Sequence, residues 1–147
     1  MRRIAVQSED FDPGAELDLL QGADAGAVAS FTGIVRGDDG VEALTLEHYP
    51  GMTERALTDL AEAAMTRWPL SAVTLIHRIG TLPKGARIVF VGTASAHRAA
   101  ALEACAFLID RLKTDAPFWK KEHGRAGDRV MRNRKAKAAG TIRSTIR

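Results

Sequence analysis

The chain has 147 residues, 46% of them apolar and 27% charged, which is enough for one domain with its own core and ordinary for a globular protein. It contains no run of eighteen apolar residues, so no membrane-spanning helix is expected. The net charge of +3 averages two unlike parts: from Arg129 onward there are seven Lys or Arg and no acid, whereas residues 1–128 carry −4, which argues against a nucleic-acid footprint spread over the fold.

The opening MRRIAVQSED turns acidic before any long apolar stretch and does not read as a signal peptide. Arg3 to Gln7 alternates weakly and predicts a short strand. Asp12-Pro13 is a helix start, with Asp as cap and Pro at the first position. The helix should run over 13–20, with Leu17, Leu19 and Leu20 touching the core. Val28 to Arg36 reads as a strand, and Gly33 within it signals a bulge or a close backbone approach. The Gly37–Gly40 turn and the strand Val41 to His48 then suggest a hairpin.

Tyr49-Pro50-Gly51 breaks that strand. Thr53 to Trp68 is a long helix with Ala56, Leu57, Leu60, Ala61 and Ala64 as its buried stripe. Val73 to Arg78 is a strand closed by Gly80, and Pro83-Lys84-Gly85 is a turn. Arg87 to Thr93 is nearly continuous in apolar residues, as a central strand is. A second long helix follows, with Ser95 as its expected cap and a stripe through Leu102, Cys105, Leu108, Ile109 and Leu112. Phe118 to Glu122 is a last extended piece. The order predicts an α+β fold, two long helices on a largely antiparallel sheet. The domain is expected to end near residue 131, with residues 132–147 a basic, mobile tail.

Cys105 is the single cysteine, which excludes an intrachain disulfide and reads as a small buried hydrophobe. A cytoplasmic location fits these features. The four histidines, at 48, 77, 97 and 123, form no close ligand pair, so a metal site is not expected. No phosphate loop, dinucleotide fingerprint or nucleophile elbow occurs. The groups left to do chemistry are Arg36, His48, His77, Arg78, His97, Arg98, Lys113, Lys120 and Lys121. His97 and Arg98 lie where a helix begins after a strand, a place suited to phosphate or carboxylate. They are equally at home as solvated first-turn residues. Lys113 sits where a helix end favours any cation. Lys120 follows Phe118 and Trp119; dehydration there would lower its pKa and free its amine, and an edge-strand lysine is the plainer reading.

Seven motifs in order carry a family likeness: SFTGIVR at 30–36, LTLEHYPGM at 44–52, RWPL at 67–70, IHRIG at 76–80, FVGTASAHR at 90–98, LKTDAPFWKKE at 112–122 and GDR at 127–129. Over roughly residues 26–129 the chain resembles the large, catalytic subunit of molybdopterin synthase. The resemblance implies an α/β hammerhead fold and a sulfur transfer that converts cyclic pyranopterin monophosphate to molybdopterin. The sulfur would arrive as a thiocarboxylate on the C-terminal glycine of a small ubiquitin-like subunit. It also implies a central dimer with one small subunit at each end, and no metal or redox cofactor.

By the same resemblance Lys113 is the essential lysine and Lys120 the second active-site lysine. Arg36, His97 and Arg98 would bind substrate. Arg134 matches, in spacing, an arginine that reaches the neighbouring subunit's site. The chain departs from the family after Arg129, where Val130 replaces the usual Trp and Met131, Arg132, Asn133 and Arg134 stand where acids are common. Two rival readings are a noncatalytic module recruited by the basic tail and a family member reduced to scaffold work.

Overall fold

The computed structural model describes residues 1–124, 127 and 129–132. Its elements run β1 (Arg2–Gln7), α1 (Pro13–Gln21), β2 (Ala27–Ile34), a short 3-10 turn (Asp38–Gly40), β3 (Val41–His48), α2 (Met52–Arg67), β4 (Leu70–Arg78), β5 (Gly80–Pro83), β6 (Arg87–Ser95), α3 (Arg98–Asp115), β7 (Phe118–Gly124) and β8 (Arg129–Arg132). The α+β class is as the sequence predicts. β8 was not foreseen, and it takes Arg132 out of the expected tail. The rest of that tail, from Asn133 on, lies outside the described residues.

The strands form two sheets of four, not one. The first, sheet A, has the order β1-β4-β6-β2; the second, sheet B, has the order β5-β3-β7-β8. β1 pairs with β4 in parallel, and the other pairings are antiparallel. The β2–β3 hairpin expected from Asp39-Gly40 does not form. β2 pairs with β6 in sheet A, while β3 pairs with β5 and β7 in sheet B. The reason lies in β6, whose residues Ile88 to Ser95 are all buried. A strand buried on both faces must satisfy its backbone on both edges, so β6 takes β4 on one side and β2 on the other. That tertiary demand outweighs a local turn signal. The Gly33/Ile34 bulge then ends the pairing, and the Val35 N–H donates to the Ala86 carbonyl at 2.8 Å as the chain leaves for sheet B.

Sheet A has helices on both faces. On one face α1 covers Ala72, Ile76, Phe90 and Ala94 with Phe11 and Leu20. On the other, α2 and α3 bury Leu57, Leu60, Ala61, Leu108 and Leu112 against Val73, Leu75, Val89 and Val91. Leu44, Leu46, Leu82 and Phe118 of sheet B join the same cluster. Each fully buried leucine there contributes roughly 1.5–3 kcal/mol relative to an exposed one. α1 starts as predicted, with the Asp12 carboxylate accepting from the Gly14 N–H at 2.9 Å. It packs tightly on β6, because a Cβ at Gly92 would stand 2.4 Å from Leu20 Cδ1.

Two assignments of helix faces and one of a helix cap change. Leu19 is 51% exposed and Leu102 60% exposed, so neither belongs to a buried stripe. Alanines take the place of Leu102: Ala101 and Ala104 are buried with Cys105, Leu108 and Leu112, letting α3 approach the sheet closely. Ser95 is not a helix cap. It ends β6, its hydroxyl donates to the Pro69 carbonyl at 2.8 Å, and the capping position falls to His97. Cys105 is buried, and burial pushes its thiol up to about 11, as an inert core residue requires.

Candidate active site

α3 separates the predicted site residues into two groups. It turns back along sheet A within two residues of β6, so its start lies beside Ser95 and its end beside the Arg87 end of the sheet. Arg98 and Lys113 are roughly 22 Å apart along the axis at the helical rise. β2 runs the same way as α3, from Ala27 opposite Ser95 to Ile34 opposite Arg87. Arg36, just past β2, therefore stands at the Lys113 end, far from His97 and Arg98. A single pocket holding Arg36, His97 and Arg98 together is thus not built within one chain.

At the start of α3 the turn is held by backbone. The Gly26 N–H donates to the Ser95 carbonyl at 2.9 Å, and a Cβ at Gly26 would lie 2.2 Å from the Ala96 oxygen. His97 is extended, and its side chain makes no capping hydrogen bond. His97 and Arg98 are both exposed. First-turn N–H groups next to a solvated imidazole and guanidinium can receive an anion with little desolvation.

At the other end, Lys113 is half-buried in the last turn of α3. Ala116 and Pro117 turn the chain into β7, and the Thr53 hydroxyl donates to the Pro117 carbonyl at 3.3 Å, tying this turn to α2. Along β7 the burial alternates: Phe118 and Lys120 point inward, and Lys121 is exposed. Phe118 lies opposite His48 of β3, and Lys120 opposite Leu46. Lys120 is only 4% exposed. Burial, and after it the charge of Lys113, lowers its pKa from 10.5 to about 8. The two lysines therefore act on one another. Of the two aromatics that precede it, Phe118 shares its buried face, while Trp119 points to the other side of the sheet. Arg36 is exposed and ion-paired with Asp38.

His77 completes this end. It is fully buried on β4, stacked on Phe118 with ring centroids 3.8 Å apart and planes 20° from parallel. Its Nδ1–H donates to the Arg78 carbonyl at 2.8 Å. Burial, reinforced by Lys120, drives its pKa down to about 3, so the ring is neutral. Sequence reading names His77 as a candidate and gives it no role; the available signal is a histidine in phase with Val73 and Leu75 on an otherwise apolar strand. Arg78 is structural, donating to the carbonyls of Ser8 and Arg87. His48 stands 3.9 Å from Glu54. Among the described residues no group of three or more His, Cys, Asp or Glu converges as a metal site would require. Arg134 lies outside the described residues.

Comparison with known proteins joins this geometry to a family. Residues 6–115 match the model of the MoaE protein family. The chain is 52% identical over 138 residues to the molybdopterin synthase catalytic subunit of Escherichia coli strain K12, covering 91% of this chain and 92% of the relative. It superposes on the molybdopterin biosynthesis MoaE protein of Burkholderia ambifaria MC40-6 with a TM-score of 0.82 and 44% identity, over 95% of each chain. A further match is to a structure of the protein–protein complex of subunits 1 and 2 of molybdopterin-converting factor from Helicobacter pylori 26695. There the TM-score is 0.75 over 95% of this chain and 96% of that one, and at 21% identity it speaks to the fold alone. The chain belongs to the MoaE family and is a sulfurtransferase of that family, transferring sulfur to a molybdopterin precursor.

Proposed function

We propose that this chain transfers sulfur from the C-terminal thiocarboxylate of a small ubiquitin-like carrier subunit to cyclic pyranopterin monophosphate, forming the dithiolene of molybdopterin. The observation that carries the reading is the pair Lys113 and Lys120, one half-buried and one sealed in the core with its pKa lowered to about 8 by burial and by the charge of the other. A surface cation needs no such setting. Lys120 is mostly ammonium at neutral pH yet gives up its proton readily, so it holds the anionic end of the carrier tail and moves a proton at Nζ. Lys113 stabilises the oxyanion as the acyl group is released, or attacks it as an amine. A thioacyl group supplies its own activation, and the reading calls on no metal or redox cofactor.

His97 and Arg98, with the N–H groups of α3, take the phosphate or the polar edge of the pterin. Their distance from Lys113 means that they serve the same substrate only if a second copy of the chain supplies them. The central dimer implied by the family resemblance fits that need, with Arg134 a further candidate from the neighbouring chain. A cytoplasmic location belongs to the same reading. The test is reconstitution: purified chain, cyclic pyranopterin monophosphate and thiocarboxylated carrier are mixed, and dithiolene product is measured. Product formation that requires all three is expected. No product with carrier and substrate in excess would end the proposal and favour a scaffold role.

A further inference from the structure

We propose that His77 is a positioning residue for Lys120, its imidazole Nε2 serving as the buried acceptor in a hydrogen-bonded link that reaches the Lys120 amine across one water. The proposal rests on the placement of Lys120 in the sulfur-transfer site. Three observations lead to it. Phe118 and Lys120 are two residues apart on β7 and both point inward, at 3% and 4% exposure, so their side chains are neighbours on one face. His77 stacks on that same Phe118 at 3.8 Å, which brings its ring to the flank of Lys120. Its Nδ1–H is committed to the Arg78 carbonyl, which fixes the tautomer and leaves Nε2 with a lone pair. Nε2 is fully buried and takes no hydrogen bond from any described residue.

A buried acceptor of this kind requires a donor. A phenylalanine would fill the same space against Phe118 without that demand, so packing does not explain the ring nitrogens. Among the described residues, the charged or titratable groups that face the pair are Lys113 from α3, His48 from β3 and the half-buried Glu122, two residues beyond Lys120 on the same face of β7, beside the backbone of Arg78 on β4. Lys120 is the donor whose charge registers on His77. The link would hold the ammonium in one orientation and offset part of the burial that disfavours it.

Ring and side-chain ¹⁵N spectra of the unliganded protein test this without any sulfur transfer, so failure here is distinguishable from failure of the proposed function. The wild-type ring should be protonated at Nδ1 and neutral from about pH 5 to 9. The Lys120 Nζ resonance, assigned by its loss in Lys120→Met, should titrate lower in His77→Phe by roughly one unit, a tenfold change, because the link to the imidazole is gone. His77→Gln, which keeps a side-chain acceptor, should restore most of the shift. A folded His77→Phe with an unmoved Lys120 midpoint would overturn the proposal, since a role in packing alone predicts lower stability and no change in titration. If His77→Phe does not fold, the wild-type spectrum decides. A ring protonated at Nε2 refutes the link; a lone-pair Nε2 displaced by hydrogen bonding supports it.

Discussion

At the start of α3, His97 and Arg98 stand in solvent beside first-turn backbone N–H groups that the His97 side chain does not cap. Past its end, Lys120 is sealed at 4% exposure under a sheet, with its pKa drawn down to about 8. Both ends carry cations, and the surroundings divide their work. A solvated cation keeps its charge and binds an anion at little cost, and salt screens it. A buried amine is destabilised as a cation and so becomes able to exchange its proton near neutral pH. In the proposed function this contrast places recognition and chemistry at opposite ends of one helix, so that serving one substrate would take two chains.

The largest expected effect is at the chemical end. Lys113→Ala should keep the fold and carrier binding but lose ~10²–10³-fold in dithiolene formation, the usual loss on removing a transition-state donor. Its structural effect is small, because the helix-end dipole contribution is only ~0.3–1 kcal/mol. Lys113→Arg separates roles: near-parent turnover would leave plain electrostatics and remove the nucleophile and proton-shuttle readings. Lys120→Ala should lose less than Lys113→Ala.

Next comes the binding end. Arg98→Ala should raise KM about tenfold, more at low salt than at high. The two-chain arrangement is tested by mixing. Arg98→Ala and Lys113→Ala chains, each nearly inactive alone at low substrate, should recover roughly a quarter of parental activity when their dimers are exchanged, since half the dimers then hold one intact site. No recovery on proven exchange would mean that the two ends do not share a substrate.

The comparison sharpens further in stability. Between pH 8 and 10.5 the unfolded chain holds a proton on Lys120 that the folded chain has given up, so this group makes stability rise with pH across that window. Below pH 8 the full penalty of the buried ammonium applies. Lys120→Met, which keeps volume, should therefore be more stable than the parent at pH 7, on the order of 3 kcal/mol. The gain should vanish above pH 10.5, read from denaturant midpoints at both pH values. A matching change at exposed Arg98 should leave stability within ~0.5 kcal/mol at either pH. The smallest effect is expected from deleting residues 135–147, whose small and like-charged residues have little to bury: melting and turnover should stay near the parent. A large loss in both would show that this segment packs.

Much of the chain was legible as sequence because local rules act there. Asp12-Pro13 starts a helix since a carboxylate and a preset φ satisfy the first turn without help from elsewhere. The apolar run of β6 announced a central strand, and the spacing of Leu57, Leu60, Ala61 and Ala64 announced a buried helix face. The cations of the site could be collected from types and motifs alone. Other features required the folded chain. Asp39-Gly40 makes no hairpin because β6 needed β2, a demand set by burial fifty residues away. Ser95 does not cap α3 because β6 runs through it, its hydroxyl tied to the Pro69 carbonyl, and the helix begins only at Arg98. The depressed pKa of Lys120 depends on Leu46, Phe118 and Lys113 closing around it, and the pairing of His77 with Phe118 joins strands of two different sheets. Residue type and spacing determine which groups carry charge and which elements form. Desolvation, and the distance between charges, are properties of packing, and only the tertiary structure decided them.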